Sequence, residues 1–321
     1  YFSKTPPAGM TFQYKKAADA EWTEIDPSLV QVDMNTMTYS YRIKGLVPDT
    51  DYLFRSTSDK DKADEKVAAE VAFRTYKGNA GLYNLSFDDW VEKDKAWYPS
   101  SDLNQHYIWD TANPGTASLG GVPTTPESSI VIKGKAAKLK SDKVFGQFAA
   151  GNIYTGRFKS ATLSPVGAKL DWGVPFDSRP LALRGWYRYE PQNINNGSYV
   201  ANGQPDFCQI QIFLTNWSGP FEISTGDKRF VDTSVNNGSI IAFGDLISQE
   251  NTTGKEGNNN GYIRFTIPLQ YRNLNDPTYI VISGAASRYG DYFTGGLGST
   301  LYLDELELVY DPDELTPAEY E

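Results

Sequence analysis

Apolar and polar residues alternate over many short stretches of this chain of 321 residues, which predicts half-buried β-strands rather than helices. The stretch Trp172–Glu190 organises the rest. Gly173, Pro175 and Pro180 make its first half a bend, and a strand follows. One face of that strand is apolar and comprises Leu181, Leu183 and Tyr187. The other face places an indole between two guanidinium groups and comprises Arg184, Trp186 and Arg188.

Two further stretches show the same division into an aliphatic face and a polar face. In the stretch 207–214 the apolar face comprises Cys208, Ile210, Ile212 and Leu214, and the polar face comprises Gln209 and Gln211. In the stretch 262–269 the apolar face comprises Ile263, Phe265 and Ile267, and the other face comprises Tyr262, Arg264 and Thr266. If these strands are neighbours in one sheet, their polar faces form one concave platform.

Strands of this kind fill the chain, and no convincing long helix lies between them, so we predict an all-β protein. The 28 glycines and 18 prolines supply turns, and the 21 tyrosines, 16 phenylalanines and 7 tryptophans suit sheets. Long polar loops without a βαβ rhythm predict a β-sandwich jelly roll over residues 82–310. An acidic, proline-broken tail follows at 311–321, and we expect it to be frayed.

Residues 1–76 form a separate unit in this interpretation, an immunoglobulin or fibronectin type III-like sandwich. The segment Leu46–Tyr52 contains the Leu, Pro and Tyr of a tyrosine corner, whose phenol bonds to backbone a few residues upstream. Trp22 is a plausible core residue. The connector Tyr76–Gly81 is short and rich in small residues, so we place the domain boundary there.

Charge and cysteine content exclude several functions. The net charge of −10 argues against nucleic acid and against an anionic membrane surface, because both partners need a basic protein. The single cysteine permits no internal disulfide, and with one histidine in the chain thiol catalysis is disfavoured. No apolar run is long enough for a transmembrane helix. The sequence opens at Tyr1, and we expect its targeting segment to be missing from it.

The polar faces and one aromatic loop suggest a sugar-binding site. Aromatic plates stack on the C–H face of a pyranose, and amides and guanidinium groups bond its hydroxyls. The predicted ligand-binding residues, with two tryptophans of the loop 97–109 as a wall, are Trp97, Trp109, Arg184, Trp186, Gln209, Gln211 and Arg264. The alternative is packing: Trp186 lies under a long loop beneath arginine stems, and the glutamines are ordinary surface residues.

The final strand has two interpretations. It resembles the Glu-x-Asp-x-Glu strand of some jelly-roll glycosidases, so Glu305 and Glu307 are the candidate pair for retaining hydrolysis. Plain alternation puts Asp304 on the opposite face from both, while the flip in apolar parity between Leu303 and Leu306 suggests a β-bulge. The strand also resembles that of carbohydrate-binding modules with a structural Ca²⁺, which would use Asp304 and Asp88. A plain exposed acidic strand is the third option.

Three segments of the second unit resemble the putative carbohydrate metabolism domain family of Bacteroidetes: Gly151–Gly156, Gly173–Phe176, and Arg179–Pro180 running into Gly185–Tyr189. The resemblance implies an immunoglobulin-like module joined to a jelly roll. It also implies an extracytoplasmic protein, at the cell surface or in the periplasm, that works beside other glycan-utilisation proteins.

These observations leave three hypotheses. The first is a protein that binds an oligo- or polysaccharide in a concave or pocket site of the jelly roll without hydrolysing it, and with no cofactor. The second is a glycoside hydrolase. The third is a structural or adhesion component of a surface complex, for which we expect a flat apolar patch instead of a pocket.

Overall fold

The computed structural model describes residues 9–59, 63, 65–75, 78–255, 259–316 and 319 of the chain. The architecture is almost entirely β-sheet, so the predicted fold class is confirmed. The chain divides into two compact units, 1–78 and 79–321. That division falls inside the segment 76–81 that the sequence suggested as a connector. Among the described residues, no helix has the length and apolar character that a membrane span requires.

The first unit is a small sandwich. Its strands are β1 (Thr11–Lys16), β2 (Thr23–Glu24), β3 (Gln31–Asp33), β4 (Thr38–Ser40), β5 (Asp51–Ser58), β6 (Lys66–Val67) and β7 (Val71–Arg74), with a 3-10 turn at Pro27–Leu29. Strands β2, β1, β5 and β6 pair in that order, β7 also pairs with β5, and β3 pairs with β4. The predicted tyrosine corner is present, because the hydroxyl of the buried Tyr52 accepts a hydrogen bond from Val47 N–H at 3.1 Å.

Trp22 does not occupy the core of this unit. Its ring is half-buried, with the Arg55 guanidinium 4.0 Å and the Lys15 ammonium 5.1 Å from the ring centroid. Among the described residues of this unit, the buried apolar side chains are Ile25 and Tyr52. The expectation of a core tryptophan was wrong because two long cationic side chains, rather than aliphatic ones, cover the indole.

The second unit holds the remaining strands. They are β8 (Val91–Lys93), β9 (Ala96–Tyr98), β10 (Trp109–Asp110), β11 (Thr124–Glu127), β12 (Ala136–Lys140), β13 (Asp142–Val144), β14 (Gln147–Ala149), β15 (Asn152–Leu163), β16 (Val166–Trp172), β17 (Val174–Pro175), β18 (Ala182–Glu190), β19 (Cys208–Thr215), β20 (Phe221–Ser224), β21 (Ile240–Ser248), β22 (Ile263–Pro268), β23 (Gln270–Tyr271), β24 (Tyr279–Ala285) and β25 (Thr300–Val309). The helical segments are α1 (Asn113–Thr116) and the 3-10 turns Ala117–Leu119, Asn259–Gly261, Gly290–Tyr292 and Pro312–Glu314.

Two sheets form the jelly-roll sandwich. The large sheet has nine strands, in the order β20-β16-β15-β24-β19-β21-β23, with β10 on β15 and β17 on β24. The small sheet has five, in the order β11-β12-β25-β18-β22. One buried cluster contains the inward side chains of both sheets, among them Leu183 and Tyr187 of β18 and Ile210 and Ile212 of β19. The apolar faces that alternation predicted for these strands are therefore the core faces.

A β-bulge interrupts β25 where the apolar parity changes. Arg184 lies opposite Glu307 and Trp186 lies opposite Asp304, so two residues of β25 are matched by one of β18. Glu305 takes up the extra residue with φ of 46°. Opposed residues of an antiparallel pair share a face. Asp304 and Glu307 therefore both point outward, and their expected placement on opposite faces was wrong.

Alternation did not show which sheet each strand joins. β18 and β22 are neighbours in the small sheet, but β19 belongs to the large sheet. Since both sheets turn their polar faces away from the shared core, the outer faces of β18 and β19 lie on opposite sides of the sandwich. The single platform expected from three neighbouring strands does not form.

Candidate functional site

A cavity of about 220 Å³ lies on the outer face of the large sheet. Its floor is built by β15, β24 and β19, which pair side by side. The register of these strands aligns two rows of outward side chains across the floor, Tyr154–Ser283–Gln211 and Asn152–Ala285–Gln209. Tyr154 and Ser283 are 2% and 8% exposed, so the groups of the floor that are most open to a ligand are the partly exposed amides of Asn152, Gln209 and Gln211.

The two glutamines are held by different partners. Gln211 Nε2 donates to Ser283 Oγ at 3.0 Å, across the β19–β24 pair. Gln209 Nε2 donates to Asp245 Oδ2 at 3.1 Å, across the β19–β21 pair. Each amide keeps an oxygen and a second N–H for a ligand. These fixed orientations suit a site that bonds hydroxyl groups.

The far side of the cavity is apolar, with two aromatic rings and one leucine. Phe158 of β15 and Leu170 and Trp172 of β16 line it. Trp172 Nε1 is buried and has no hydrogen-bond partner among the described residues. Because a buried N–H without a partner costs free energy, a ligand oxygen that accepts from it would gain that energy back.

A hairpin forms part of the cavity mouth. β13 and β14 are joined by a two-residue turn, Phe145-Gly146, in which both φ angles are positive, at 49° and 80°. That geometry is a type I′ turn, which favours Asn-Gly and disfavours a bulky residue in the first position. Phe145 is nevertheless 76% exposed and lines the cavity. The ring therefore contributes little to the packing of the fold. A bulky residue with a positive φ and little packing is a candidate for a functional role.

The opposite rim comes from the segment that follows β24. Arg288, Asp291 and Phe293 of this segment line the cavity. The Asp291 side chain is exposed, and the protein around it raises the pKa of its carboxyl above the ordinary value. The rim therefore adds one cation and one weakly acidic carboxyl to a lining that is otherwise neutral.

Of the seven ligand-binding residues predicted from the sequence, the structure brings Gln209 and Gln211 into this cavity. Trp186 lies on the outer face of the small sheet and packs against Ala136, Tyr262 and Tyr302. The loop that precedes β12 packs against the same cluster through Ile130, Val131 and Ile132. The surroundings of Trp186 therefore match the packing alternative rather than the predicted sugar-binding role.

The two predicted arginines also lie on the small sheet. Arg184 is 7% exposed and pairs with Glu307, and its Nη1 donates to the carbonyl of Glu314 at 3.0 Å in the tail. Arg264 lies opposite Trp186 and borders a separate depression with Asp245 and Glu319. Neither arginine reaches the cavity, because both lie on the sheet across the core from it.

The two predicted tryptophans of the aromatic loop do not close the cavity. Trp109 is in β10, is fully buried, and donates its indole N–H to the Tyr83 carbonyl at 2.9 Å. Trp97 is in β9, is half-buried, and its carbonyl accepts from Asn113 Nδ2 at 2.9 Å. The loop is pinned to the sandwich, which is the other outcome open to so aromatic a segment.

The predicted catalytic pair lies on β25, away from the cavity. Glu307 is bound to Arg184, with Arg264 Nη2 at 3.9 Å. Glu305 sits at the bulge, with Lys133 Nζ 4.0 Å from one oxygen and the other oxygen buried without a partner among the described residues. The geometry thus gives these glutamates different surroundings rather than a shared cleft.

The predicted calcium ligands both bond one loop. Asp304 Oδ2 accepts from Ile132 N–H at 2.6 Å and Lys133 N–H at 3.2 Å, and Asp88 Oδ1 accepts from Lys135 N–H at 2.8 Å. Within the described ranges, no three Asp, Glu, His or Cys side chains are grouped to hold a metal ion. These donors do not make a metal centre by themselves. Calcium binding stays a prediction, which melting curves with Ca²⁺ and with a chelator would test.

Sequence reasoning missed most of the cavity. Asn152 and Tyr154 lay in a segment used for the family resemblance, and Trp172 began the organising stretch. The one local signal was the dipeptide Phe145-Gly146, an unusual turn sequence between two short strands. The remaining lining residues meet only through long-range pairing, which no local pattern contains.

Fold and cavity together define a two-unit, all-β protein with a jelly-roll sandwich and a ligand-sized recess on its large sheet. A family described as "Putative carbohydrate metabolism domain" matches residues 86–309, and the chain belongs to that family. The predicted resemblance is therefore confirmed.

Solved structures show a similar fold. A putative glycoside hydrolase from Bacteroides thetaiotaomicron aligns with TM-score 0.55 and 20% identity over 81% of this chain and 78% of that one. Another, from Bacteroides vulgatus, aligns with TM-score 0.50 and 22% identity over 70% and 95%. A carbohydrate-binding module specific for non-crystalline cellulose aligns with TM-score 0.31 and 10% identity over 63% and 87%, which is too low to carry an argument. Comparison with curated proteins gave no match.

Proposed function

We propose that this protein binds a neutral glycan in the cavity of the large sheet and does not hydrolyse it. The observation that carries the proposal is that the amides of Gln209 and Gln211 and the rings of Phe158 and Trp172, all partly exposed, line one cavity. Sugars need this mixture, because a pyranose presents apolar C–H faces and polar hydroxyls together. Membership of a carbohydrate metabolism family supports the same ligand class.

The size of the cavity favours a short part of the glycan. Its volume of about 220 Å³ is below the roughly 300–1,000 Å³ of pockets that hold drug-sized ligands. One ring, or a ring and part of the next, fits such a space. We propose that the cavity takes the end or a single unit of the chain.

Binding without hydrolysis fits the charges of the lining. Asp291 is the one carboxylate among the described residues that line the cavity. Retaining and inverting hydrolysis both require two carboxyl groups that flank the scissile bond. Both similar Bacteroides proteins are described as putative glycoside hydrolases, and under 25% identity those similarities concern the fold.

We also propose an extracytoplasmic location, at the cell surface or in the periplasm, beside other glycan-utilisation proteins, as the sequence resemblance implies. A purely structural or adhesive role is disfavoured by the recess, because adhesion through a flat interface would not need a concave floor of oriented amides.

The test is a glycan array probed with the full chain, followed by titration calorimetry of the glycan that binds. Gln211→Ala removes an amide from the floor, and we expect affinity to fall about fivefold to tenfold, the size of one net hydrogen bond. Arg264→Ala is the control, because its exposed side chain lies on the small sheet. No glycan bound, or affinity lost in Arg264→Ala and kept in Gln211→Ala, would contradict the proposal.

A further inference from the structure

An exposed group of tyrosines lies beside the cavity. Tyr199 is 55% exposed and Tyr292 is 37% exposed, and their rings stack with centroids 4.0 Å apart at 12°. The ring of Tyr289 lies 5.3 Å from that of Tyr199. We call Tyr199, Tyr289 and Tyr292 the tyrosine patch. A cluster of large exposed rings is costly to leave in water, so it indicates a surface that something covers.

Hydrogen bonds between side chains and backbone join the two segments that carry the patch. Asn196 Nδ2 donates to the Phe293 carbonyl at 2.9 Å, and Tyr199 N–H donates to Thr294 Oγ1 at 3.3 Å. Gly197 has φ of 81°, and a Cβ there would lie 2.1 Å from Thr294 Oγ1, so glycine permits the close approach. Rings fixed in this way lose little conformational entropy when a ligand covers them.

The patch continues the lining of the cavity. Asp291 and Phe293 line the cavity, and Tyr292 lies between them in the chain, with its side chain in the patch. One turn, Gly290–Tyr292, therefore supplies both the rim and the patch. A sugar unit in the cavity and a sugar unit on the patch would therefore lie on either side of this turn.

We propose that the tyrosine patch is a second sugar-binding subsite, which stacks on a pyranose ring adjacent to the unit in the cavity. This inference rests on the proposed function. It names the ligand more closely: a neutral oligosaccharide of at least two units rather than a monosaccharide. The exposed part of the Tyr199 ring supplies the plate: Tyr199 is 55% exposed, Tyr292 stacks on one face of its ring, and the Tyr289 ring lies 5.3 Å away at a tilt of 44°.

The test compares short and long probes on the full chain. The methyl glycosides of glucose, mannose, galactose and xylose, and the linear tetrasaccharide of each sugar, are titrated by calorimetry. For the sugar that binds, we expect the tetrasaccharide to bind at least fivefold tighter than the methyl glycoside. Tyr199→Ala should remove most of that gain and leave the affinity for the methyl glycoside unchanged.

Two control variants accompany it. Tyr199→Phe keeps the ring and should bind both probes as the wild type does. Leu274→Ala changes a side chain that is 84% exposed elsewhere and should change neither affinity. If chain length has no effect, or if Tyr199→Ala weakens both probes equally, the subsite is refuted and the cavity stands. If the wild type binds none of the probes, the proposed function fails for these sugars and the subsite fails with it.

Discussion

Replacing Phe145 by Asn separates folding from binding at the cavity mouth. A bulky residue in the left-handed region costs about 1–2 kcal/mol, and Asn-Gly is the favoured type I′ sequence. The ring is 76% exposed, so about 50 Å² of apolar surface is hidden, worth about 1 kcal/mol. We therefore expect the free energy of unfolding to stay the same or to rise by up to about 1 kcal/mol. Affinity for the array-selected glycan should fall about fivefold to tenfold.

The assay pairs urea denaturation with calorimetric titration of the same preparations. Phe145→Ala is the matched variant, because it removes the ring without improving the turn. It should lose as much affinity as Phe145→Asn and be less stable than it. Unchanged affinity in both variants would show that the ring has no part in binding. A loss of more than about 1 kcal/mol in Phe145→Asn would show that the ring packs in the fold, against its exposure.

Two further predictions concern the fold. Burial, followed by the nearby charge of Glu305, raises the pKa of Asp304 to about 6, above the ordinary 3.8. The contribution of Asp304 to stability is thus present below about pH 4 and is lost as the pH rises through 6. Between pH 4 and pH 8, the free energy of unfolding of the wild type should fall by on the order of 1–3 kcal/mol relative to that of Asp304→Asn. Parallel curves of unfolding free energy against pH for the two proteins would contradict this. Gly156→Ala should cost on the order of 2–4 kcal/mol in urea denaturation, because φ is 151° and a Cβ would lie 2.0 Å from the Asp171 carbonyl oxygen. A cost below about 0.5 kcal/mol would refute that backbone strain.

The sequence predicted which face of each strand is buried, but it did not predict which strands are neighbours in a sheet. The inward side chains of β18 and β19 followed from alternation, because a strand has a period of two and the core selects the apolar side. The bulge at Glu305 also left a local trace in the parity of the leucines on β25. Sheet membership left none, because either outer face of a sandwich carries polar residues in the same alternation. Gln211 therefore looked like a neighbour of Trp186, although a core separates them.

The residues of the site predicted from the sequence lie on the outer faces of two different sheets. The structure shows why the large sheet is the better candidate for a glycan site. Part of the outer face of the small sheet, around Arg184, is already covered. Leu315 of the tail is buried against Ala182 and Val309, and Arg184 binds Glu314. The expectation of a frayed tail was wrong over this segment, because one apolar anchor and one ion pair hold it. A glycan over Arg184 would have to displace Leu315, at about 1.5–3 kcal/mol for its burial, and break the ion pair. On the large sheet the amides of Gln209 and Gln211 are partly exposed in the cavity, and a sugar would reach them without displacing a segment of the chain.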